Sequence, residues 1–432
     1  MLRPGRDVAT WFGLAIPLLF ACACTGVISG GDDGVAKGDQ GSSSDAGVDS
    51  SSSEGDTLGA PSDETGGSPA DSAPSAADAG APADETSAID STPPPIDAAP
   101  PPTSKGGKLV GYYASWTRTT MPPSTVPWKN VTHIAHAFIL PSAGGGLSNV
   151  SSYVDAELIS TAHAHGVKVV ASVGGAGANF DANTDPTARA KTVAAMASLC
   201  KSNGYDGIDL DWEFPDATTS ATWGAMIDEL RAALDAIDPA LTISAAVASG
   251  AYYGDHLPTT ALKKLSWVGV MTYDYAGDWS SSSGHDSPLY PSKGGDGGSV
   301  TESIDYFVKK RGISPSSLLV GLPFYGRDFG ATTIAGTPVK PSTDRDYRDV
   351  VSTMSSGGWT KAWDSTAHVP YLTRTPPSGQ AGFLSYDDAK SIGEKCTFAK
   401  SQALGGAIVW HLAGDRLSDG SNPLLDAAQP CR

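Results

Sequence analysis

The chain has 432 residues, 40% of them hydrophobic, and a formal net charge of −18 at pH 7. This length allows one large domain with additional segments, or two ordinary domains. Most of the acidic excess lies in residues 31–104, which hold 15 Asp or Glu and one Lys, whereas residues 105–432 are only mildly acidic. Because no basic stripe or cluster is present, the composition argues against a nucleic-acid-binding protein.

Residues 1–30 have the pattern of an export signal. Two arginines precede an apolar run at residues 11–23, which is too short to span a bilayer. The run ends in "LFAC", which resembles the bacterial lipoprotein box, where the cysteine is lipidated after cleavage. Cys22 is therefore a candidate lipidation site and Cys24 a weaker one, with simple secretion as the alternative. Both routes predict an extracellular or cell-surface protein, and lipidation would tether it to the outer membrane.

Residues 31–105 are predicted to form a disordered acidic linker. They are rich in Ser, Ala, Gly and Pro and contain no Phe, Trp or Tyr. A segment of this composition cannot bury enough apolar surface to offset the entropy lost on ordering. We therefore expect a solvated spacer, followed by a folded domain over residues 106–432.

Eight short runs rich in Val, Ile, Ala and Gly follow, separated by segments with helical periodicity, notably 185–204 and 220–238. Apolar strands that alternate with helices predict a parallel sheet covered on both faces. Eight such units favour a (β/α)8 barrel over an open doubly wound sheet. The runs lie at 109–116, 133–140, 168–175, 207–214, 241–248, 267–275, 318–326 and 406–414.

The segment between the last two runs is too long for a single helical return. It is rich in aromatic residues and bounded by Gly and Pro, which predicts a small α+β insertion at about residues 330–400 rather than a disordered loop.

Three cysteines lie in the folded part, so one thiol has no partner within it. The positions favour a bridge between Cys396 and Cys431 and a buried free thiol at Cys200, which ends an apolar helix. No CxxC or Cys/His spacing typical of a metal site occurs, and we expect no metal and no cofactor.

The fourth run, "DGIDLDWEF" at 206–214, carries acidic residues at alternate positions. Alternate residues of a strand share a face, so Asp209, Asp211 and Glu213 are predicted to point into the barrel while the apolar residues between them point outward. Such a row is tolerable near the C-terminal mouth of a barrel, where substrate and water reach it.

Adjacent carboxylates in a half-buried row cannot all be ionised at neutral pH, so at least one pKa must rise. Glu213 is the best candidate for a general acid because it lies nearest the end of the strand. Asp211 would hold or donate the shared proton, and Asp209, the lowest member of the row, would influence the pKa of Asp211. Asp206, of the opposite parity, is assigned to the preceding turn. A Mg²⁺ or Ca²⁺ site is a weaker alternative, because no phosphate loop or His cluster accompanies the row.

The stretch "DGIDLDWE" matches the DxxDxDxE signature of family 18 glycoside hydrolases, the chitinase family, and the chain resembles that family over about residues 108–425. Further matches follow in the expected order: "GYYASW", "SVGG", "MTYDY", "GLPFYGR" and "IVWHLAGD". The resemblance implies a (β/α)8 fold and hydrolysis of β-1,4 bonds between N-acetylglucosamine units.

The resemblance also implies a retaining, substrate-assisted mechanism. The N-acetyl oxygen of the sugar would attack the anomeric carbon while Glu213 protonates the leaving oxygen. Asp211 would turn toward the acetamido N–H, and Tyr273 would donate its hydroxyl to the acetamido oxygen.

Further residues of the matching motifs are expected to bind the sugar chain. Trp410 would stack beneath the ring at the cleaved position, since the apolar face of a pyranose packs well on an indole. Phe138 and Met271 could equally fill the barrel interior, and a tight turn explains Gly174 and Gly175 equally well. The remaining residues in this expected set are Tyr112, Phe214, Asp274 and Arg327.

The chain departs from the family pattern after "SVGG", where many chitinases carry a Trp and this chain has Ala176 and Gly177. One aromatic platform on the leaving-group side is therefore predicted to be absent. Trp279, Trp359 and Trp363 could replace it, or could pack between the insertion and the barrel.

These features predict an exported, monomeric chitinase that binds chitin or chitooligosaccharides. Two alternatives stay open: an endo-β-N-acetylglucosaminidase that acts on N-glycans, and a non-catalytic chitin-binding lectin.

Overall fold

The computed structural model describes residues 106–338, 341–356, 358–374 and 381–432. The predicted export signal, the candidate lipidation site at Cys22 and the acidic linker lie outside these residues. Within the described ranges, no helix is both long enough and apolar enough to cross a membrane.

Eight parallel strands close into a barrel, which confirms the predicted (β/α)8 fold. Around the barrel each strand pairs with its neighbour in sequence, and the last closes the ring onto the first. Each strand lies within one of the eight predicted runs, except that β1 begins one residue before its run, at Lys108. They are β1 (Lys108–Ala114), β2 (His133–Ile139), β3 (Lys168–Gly174), β4 (Gly207–Asp211), β5 (Thr242–Ala248), β6 (Trp267–Met271), β7 (Leu318–Pro323) and β13 (Gly406–Trp410).

The helices of the described part connect these strands and cover the barrel. They are α1 (Val150–Tyr153), α2 (Ala156–Ala164), α3 (Pro186–Asn203), α4 (Ser220–Asp235), α5 (Ala251–Gly254), α6 (Thr259–Leu262), α7 (Val300–Asp305), α8 (Tyr347–Ser355), α9 (Ala389–Ser401) and α10 (Pro423–Ala427).

The two helices predicted from periodicity are α3 and α4, and the ends of α3 follow from its sequence. The Asp185 side chain accepts a hydrogen bond from the Ala188 N–H, which satisfies one of the free donors of the first turn. The helix ends before Gly204, whose φ of 80° is readily adopted only by glycine.

A second, antiparallel sheet lies between the seventh and eighth barrel strands, as the sequence predicts. Its strands are β8 (Tyr325–Asp328), β9 (Thr343–Asp346), β10 (Thr360–Asp364), β11 (Val369–Arg374) and β12 (Gly382–Tyr386), in the order β10-β11-β12-β8-β9.

The bounds of this insertion differ from the predicted 330–400. The first strand of the second sheet begins at Tyr325, one residue after β7, because the chain passes from one sheet to the other without a turn signal. At the other end, α9 packs against β7 and β13 and so belongs to the barrel. The insertion is therefore nearer 325–386.

The barrel interior is closed at its lower end and open at its mouth. Trp267, at the start of β6, is 1% exposed, and its ring lies 5.0 Å from that of His133 and 5.8 Å from the Lys108 ammonium group. Small interior side chains such as Ala135 and Ala246 leave space above it. The space at the mouth is therefore available for a ligand.

The cysteines pair as predicted. Cys396 in α9 forms a disulfide with Cys431, and Cys200 at the end of α3 is a buried free thiol. The bridge fastens the C-terminus to a helix of the barrel.

Candidate active site

The acidic row of β4 points into the barrel, as its alternation predicts. Asp209 and Asp211 are 1% and 3% exposed, and Glu213 lies two residues beyond the strand, partly buried at the mouth. Ile208 and Leu210 pack outward into the core between strands and helices. The apolar half of the run thus holds the strand in place, and the acidic half faces the cavity.

Asp209 forms the lower end of the row, and hydrogen bonds occupy its carboxylate. The Tyr112 hydroxyl donates at 2.8 Å, the Ser172 hydroxyl at 2.8 Å and the Ser244 hydroxyl at 2.6 Å. Burial raises the pKa of Asp209, and these three bonds partly offset that rise. Both carboxylate oxygens of Asp209 therefore have protein partners, and Asp209 lines neither of the two cavities at the barrel mouth.

Asp211 is the next member of the row, two residues beyond Asp209 on the same face of the strand. Its Oδ1 atom is buried and accepts no hydrogen bond from the described residues. Burial raises the pKa of Asp211 well above its ordinary value, and the charges of Glu213 and Asp209 raise it further. A buried carboxyl oxygen without a partner, in a cavity wall, is available to a ligand.

Glu213 has the properties of a general acid. Burial, followed by the nearby charge of Asp274, raises its pKa from 4.5 to about 7. A carboxyl group with this pKa carries a proton for much of the time near neutral pH and can transfer it.

Asp274 is held in place by two donors. The Tyr325 hydroxyl donates to its Oδ1 at 2.7 Å, and the Arg327 Nη2 donates to the same atom at 2.6 Å. Its backbone is left-handed, with φ of 58°, a conformation that Asp tolerates better than most residues.

Tyr273 lies in the same cavity wall and is 8% exposed. Burial and the Asp211 charge raise the pKa of its hydroxyl well above 10. The hydroxyl therefore stays protonated and can donate a hydrogen bond into the cavity.

A cavity of about 510 Å³ brings most of the predicted residues together. Trp410 and Phe138 stack on one another in its wall, with ring centroids 5.4 Å apart and an angle of 17°. Nine of the predicted site residues line this cavity: Tyr112, Phe138, Gly174, Asp211, Glu213, Met271, Tyr273, Asp274 and Trp410. A second cavity of about 860 Å³ also borders Glu213 and includes Phe214.

Arg327 does not lie in the cleft wall as expected. It is 7% exposed, and its guanidinium is engaged by carboxylates: Asp274 at 2.6 Å, Asp344 at 3.1 Å and Asp286 at 3.6 Å. Arg327 therefore holds Asp274 in position and lines neither of the two cavities at the barrel mouth.

Both predicted glycines have structural reasons within the protein, and Gly174 also lines the first cavity. A Cβ on Gly174 would come within 1.8 Å of the Asp211 carbonyl oxygen, so this glycine permits β3 to approach β4. A Cβ on Gly175 would meet the Phe138 ring at 2.6 Å, so this glycine makes room for that ring. Both have positive φ, which adds a second reason for glycine.

The three tryptophans considered as platforms have different surroundings. Trp279 is 60% exposed and lines the second cavity. Trp359 packs against the Arg374 guanidinium at 4.9 Å, and Trp363 lies 3.4 Å from the Lys390 ammonium group. Of the three, only Trp279 borders either cavity.

Asp206 has the structural role predicted for it. Its carboxylate accepts the Val169 N–H at 2.7 Å and contacts His163 Nε2 at 2.9 Å, which ties the start of β4 to β3.

Sequence reasoning missed several residues of the site. Trp116, 62% exposed, lines the first cavity and lies 6.3 Å from the Trp410 ring. It stands in the motif "GYYASW", so its place after β1 was the available signal. The others are Ser172, Ser244, Tyr252, Tyr253, Tyr325 and Asp344. Across the described ranges, no group of three or more His, Cys, Asp or Glu side chains could hold a metal ion.

Comparison with known proteins agrees with this geometry. The family model "Glycosyl hydrolases family 18" matches residues 108–415. The chain is 30% identical over 293 residues to Chitinase A1 of Niallia circulans, which covers 58% of this chain and 41% of that protein. It is 26% identical over 350 residues to Endochitinase 1 of Metarhizium robertsii, covering 71% and 81%. The chain thus spans less than half the length of the Niallia protein.

Solved structures show the same fold. A family 18 N-acetylglucosaminidase from Paenibacillus barengoltzii matches with a TM-score of 0.67 and 24% identity, covering 75% of this chain and 99% of that one. The catalytic domain 2 of a group II chitinase from Ostrinia furnacalis matches with a TM-score of 0.68 and 24% identity, covering 75% and 96%. The family match runs from β1 to the residues after β13 and includes the acidic row. The chain therefore belongs to the glycosyl hydrolases of family 18.

Proposed function

We propose that this protein is a chitinase that hydrolyses β-1,4 bonds between N-acetylglucosamine units with retention of configuration. The observation that carries the proposal is Glu213, whose pKa is raised to about 7, in one cavity wall with Asp211 and Tyr273. These three groups supply a proton donor, a carboxyl oxygen without a partner and a neutral hydroxyl donor.

The three groups suit a reaction in which the substrate provides the nucleophile. Glu213 transfers its proton to the glycosidic oxygen as the bond to the anomeric carbon breaks. The acetamido oxygen of the same sugar forms the new bond to that carbon, which gives a cyclic oxazolinium ion. A water molecule then attacks this carbon, the bond from the carbon to the acetamido oxygen breaks, and the Glu213 carboxylate takes a proton from the water, which restores the acid.

Asp211 and Tyr273 act on the acetamido group during these steps. The free Oδ1 of Asp211 accepts the acetamido N–H and stabilises the positive charge of the ring that forms. The Tyr273 hydroxyl donates to the acetamido oxygen and aims it at the anomeric carbon. The stacked rings of Trp410 and Phe138 offer an apolar surface for the sugar that is attacked.

We also propose that the protein is exported, acts as a monomer outside the cell or at its surface, and is tethered through a lipidated Cys22. The motif at residues 1–30 and the Cys396–Cys431 disulfide support export, because disulfides persist in oxidising compartments. Mass spectrometry of the mature N-terminus tests the lipidation of Cys22, since an acylated Cys22 and a free N-terminus differ by the mass of the lipid.

We expect the purified protein to release short oligosaccharides from chitin oligomers and to leave a high-mannose glycoprotein intact. Mass spectrometry of both reactions measures the products. Release of the N-glycan with intact chitin oligomers would favour an endo-β-N-acetylglucosaminidase, and binding of the oligomers without any cleavage would favour a lectin.

The pH dependence of kcat/KM is expected to report on Glu213. The acid must be protonated to act, so activity should fall as the pH rises through about 7, where Glu213 loses its proton. Asp274→Asn removes a negative charge that raises this pKa, so the fall should begin at lower pH. The pH profiles of the two proteins on one chitin oligomer test this, and coincident profiles would contradict it.

A further inference from the structure

A buried ion pair outside the two cavities is linked by hydrogen bonds to the segment that carries Tyr273. Lys395 in α9 and Asp387, which follows β12, are both fully buried and line neither cavity. The Lys395 ammonium group donates to the two carboxylate oxygens of Asp387 at 2.8 and 2.7 Å and to the Ser287 hydroxyl at 2.6 Å. Each of its three protons therefore has an acceptor.

This ion pair fixes the direction of the Ser287 hydroxyl. An ammonium group only donates, so the hydroxyl accepts from Lys395 and its single proton is left for another acceptor. That acceptor is the backbone carbonyl of Thr272, at 2.6 Å. The ammonium charge polarises the hydroxyl, which strengthens the bond to the carbonyl. The buried charge thus acts, through Ser287, on the residue that precedes Tyr273.

Hydrogen bonds from one short segment hold the backbone on both sides of Tyr273. Strand β6 ends at Met271, so the ladder of the barrel does not extend to this tyrosine. Ahead of it, the Thr272 carbonyl accepts from Ser287, and behind it the Tyr275 N–H donates to the carbonyl of residue 286 at 3.0 Å. These two bonds take the place of the missing ladder.

The ring of Tyr273 lies against β7. A Cβ on Gly321 would lie 2.8 Å from this ring, so the ring fits there because the strand has a glycine. The Thr272 hydroxyl donates to the Gly321 carbonyl at 2.8 Å and accepts the Gly321 N–H at 2.9 Å. Because the ring has no free space on this side, the direction of its hydroxyl depends on how the backbone at Thr272 is held.

The ion pair is a costly way to fill this part of the interior. Removing two charges from water costs free energy, and an apolar pair of similar volume is often equally stable or more stable. An apolar pair cannot orient a hydroxyl group, whereas Lys395 orients Ser287. The orientation of Ser287 is therefore the property that the charged pair adds.

We propose that Lys395 and Ser287 are positioning residues that direct the Tyr273 hydroxyl toward the acetamido oxygen of the substrate. Lys395 orients the Ser287 hydroxyl, and this hydroxyl holds the Thr272 carbonyl. The backbone from which the tyrosine projects is thereby fixed. This inference rests on the proposed function, because the contact between Tyr273 and the acetamido group belongs to that function.

We expect Ser287→Ala to lower kcat on the chitin hexamer by about tenfold, since a small displacement of a group at the reacting centre slows the chemical step. KM should change by less than about twofold, because the sugar contacts in the cavities remain. Steady-state kinetics on the hexamer measure both constants. Circular dichroism gives the melting temperature of each variant, and the assays are run well below it.

A double-mutant cycle with Tyr273→Phe tests whether the effect passes through the tyrosine hydroxyl. Tyr273→Phe removes the group that is positioned, so adding Ser287→Ala should lower kcat by less than about twofold further. If Ser287 only stabilised the barrel, the tenfold loss would be the same in both backgrounds.

The ion pair is tested by removing both of its charges together, because Lys395→Met alone leaves a buried carboxylate without a partner. The double variant Lys395→Met/Asp387→Leu has apolar side chains at both positions and lacks the donor that orients Ser287. We expect it to fold and to lower kcat on the hexamer by about fivefold, with KM within about twofold of the wild type.

Ser283→Ala is the matched control, since it makes the same change at a buried serine four residues earlier in the chain. The Ser283 hydroxyl donates to the Thr333 carbonyl, and the residue lines neither cavity. This variant should keep kcat and KM within about twofold of the wild type.

The outcomes are distinct for the inference and for the proposed function. An unchanged kcat in folded Ser287→Ala, or a tenfold loss that persists in the Tyr273→Phe background, would overturn the inference while the wild type still cleaves chitin oligomers. A Lys395→Met/Asp387→Leu protein that is unfolded, or that keeps the wild-type kcat, would overturn the role of Lys395. A wild-type protein that cleaves no chitin oligomer would overturn the proposed function, and the inference with it.

Discussion

Glu213→Gln is expected to lower kcat on chitin oligomers by about 1,000-fold or more. The glutamine amide has nearly the same shape as the carboxyl group but cannot release a proton to the leaving oxygen, and this proton transfer carries most of the rate that a general acid contributes. The loss should appear in kcat, with little change in KM, because the contacts to the sugar rings remain. Oligomer hydrolysis followed by mass spectrometry or chromatography measures the effect.

The control for this loss of activity is the stability of Glu213→Gln, which shows whether the variant is folded. The folded protein holds the Glu213 proton up to about pH 7, whereas the unfolded chain releases it near pH 4.5. The native state therefore binds more protons in this window, and the free energy of unfolding of the wild type falls as pH rises from about 4.5 to 7 because of this group. The glutamine does not titrate, so its melting temperature at pH 8 should equal or exceed that of the wild type. If Glu213→Gln kept its activity, another residue would be the acid. If Glu213→Gln were unfolded at pH 8, burial of the Glu213 carboxylate would not lower the free energy of unfolding as its raised pKa indicates.

Asp211→Asn is expected to lower kcat on chitin oligomers by about 100- to 1,000-fold, the usual loss when one preorganised electrostatic group is removed from the reacting centre. The asparagine cannot place a negative charge next to the oxazolinium ion. It also presents an amide where the buried, unpartnered Oδ1 atom of the carboxyl group lies. The loss of kcat should exceed the loss caused by replacing any single aromatic residue of the cavity wall. The reason is that Asp211 stabilises charge that develops only in the transition state.

Asp206→Asn is the matched control, since it makes the same chemical change in the same signature outside the cavities. Its side chain contacts β3 and α2 and should leave kcat within about twofold of the wild type once folding is verified by circular dichroism. Equal losses in the two variants would mean that Asp211 acts only through the stability of β4.

The fold and the centre of the site could be predicted because they depend on local patterns. Each barrel strand is a short apolar run within the predicted limits, apart from β1, which begins one residue earlier. The parity of Asp209, Asp211 and Glu213 follows from the two-residue repeat of a strand, whatever its neighbours are. The same repeat assigned Asp206 to the opposite face, where it ties β4 to β3.

Residues that depend on contacts between distant segments could not be assigned this way. Ser172 and Ser244 look like ordinary strand residues, and only the pairing of β3, β4 and β5 brings both hydroxyls to Asp209. Arg327 matched a sugar-binding motif, yet three carboxylates from other segments surround it. Arg327 is therefore kept out of the cleft wall by its contacts with these carboxylates, which its motif does not indicate.

The sequence by itself determined the eight strands and the direction of the acidic row, and it favoured a bridge between Cys396 and Cys431 that the structure contains. Tertiary structure alone decided which hydroxyls hold Asp209, how far the pKa of Glu213 rises and which aromatic rings border the cleft. The physical reason is that the repeat of a strand or helix depends on a few neighbouring residues. The burial and the charge around a group at the barrel mouth depend on several loops that follow different strands. Tyr252 and Tyr253 lie about 40 residues after Glu213, and only closure of the barrel places their rings along the same groove.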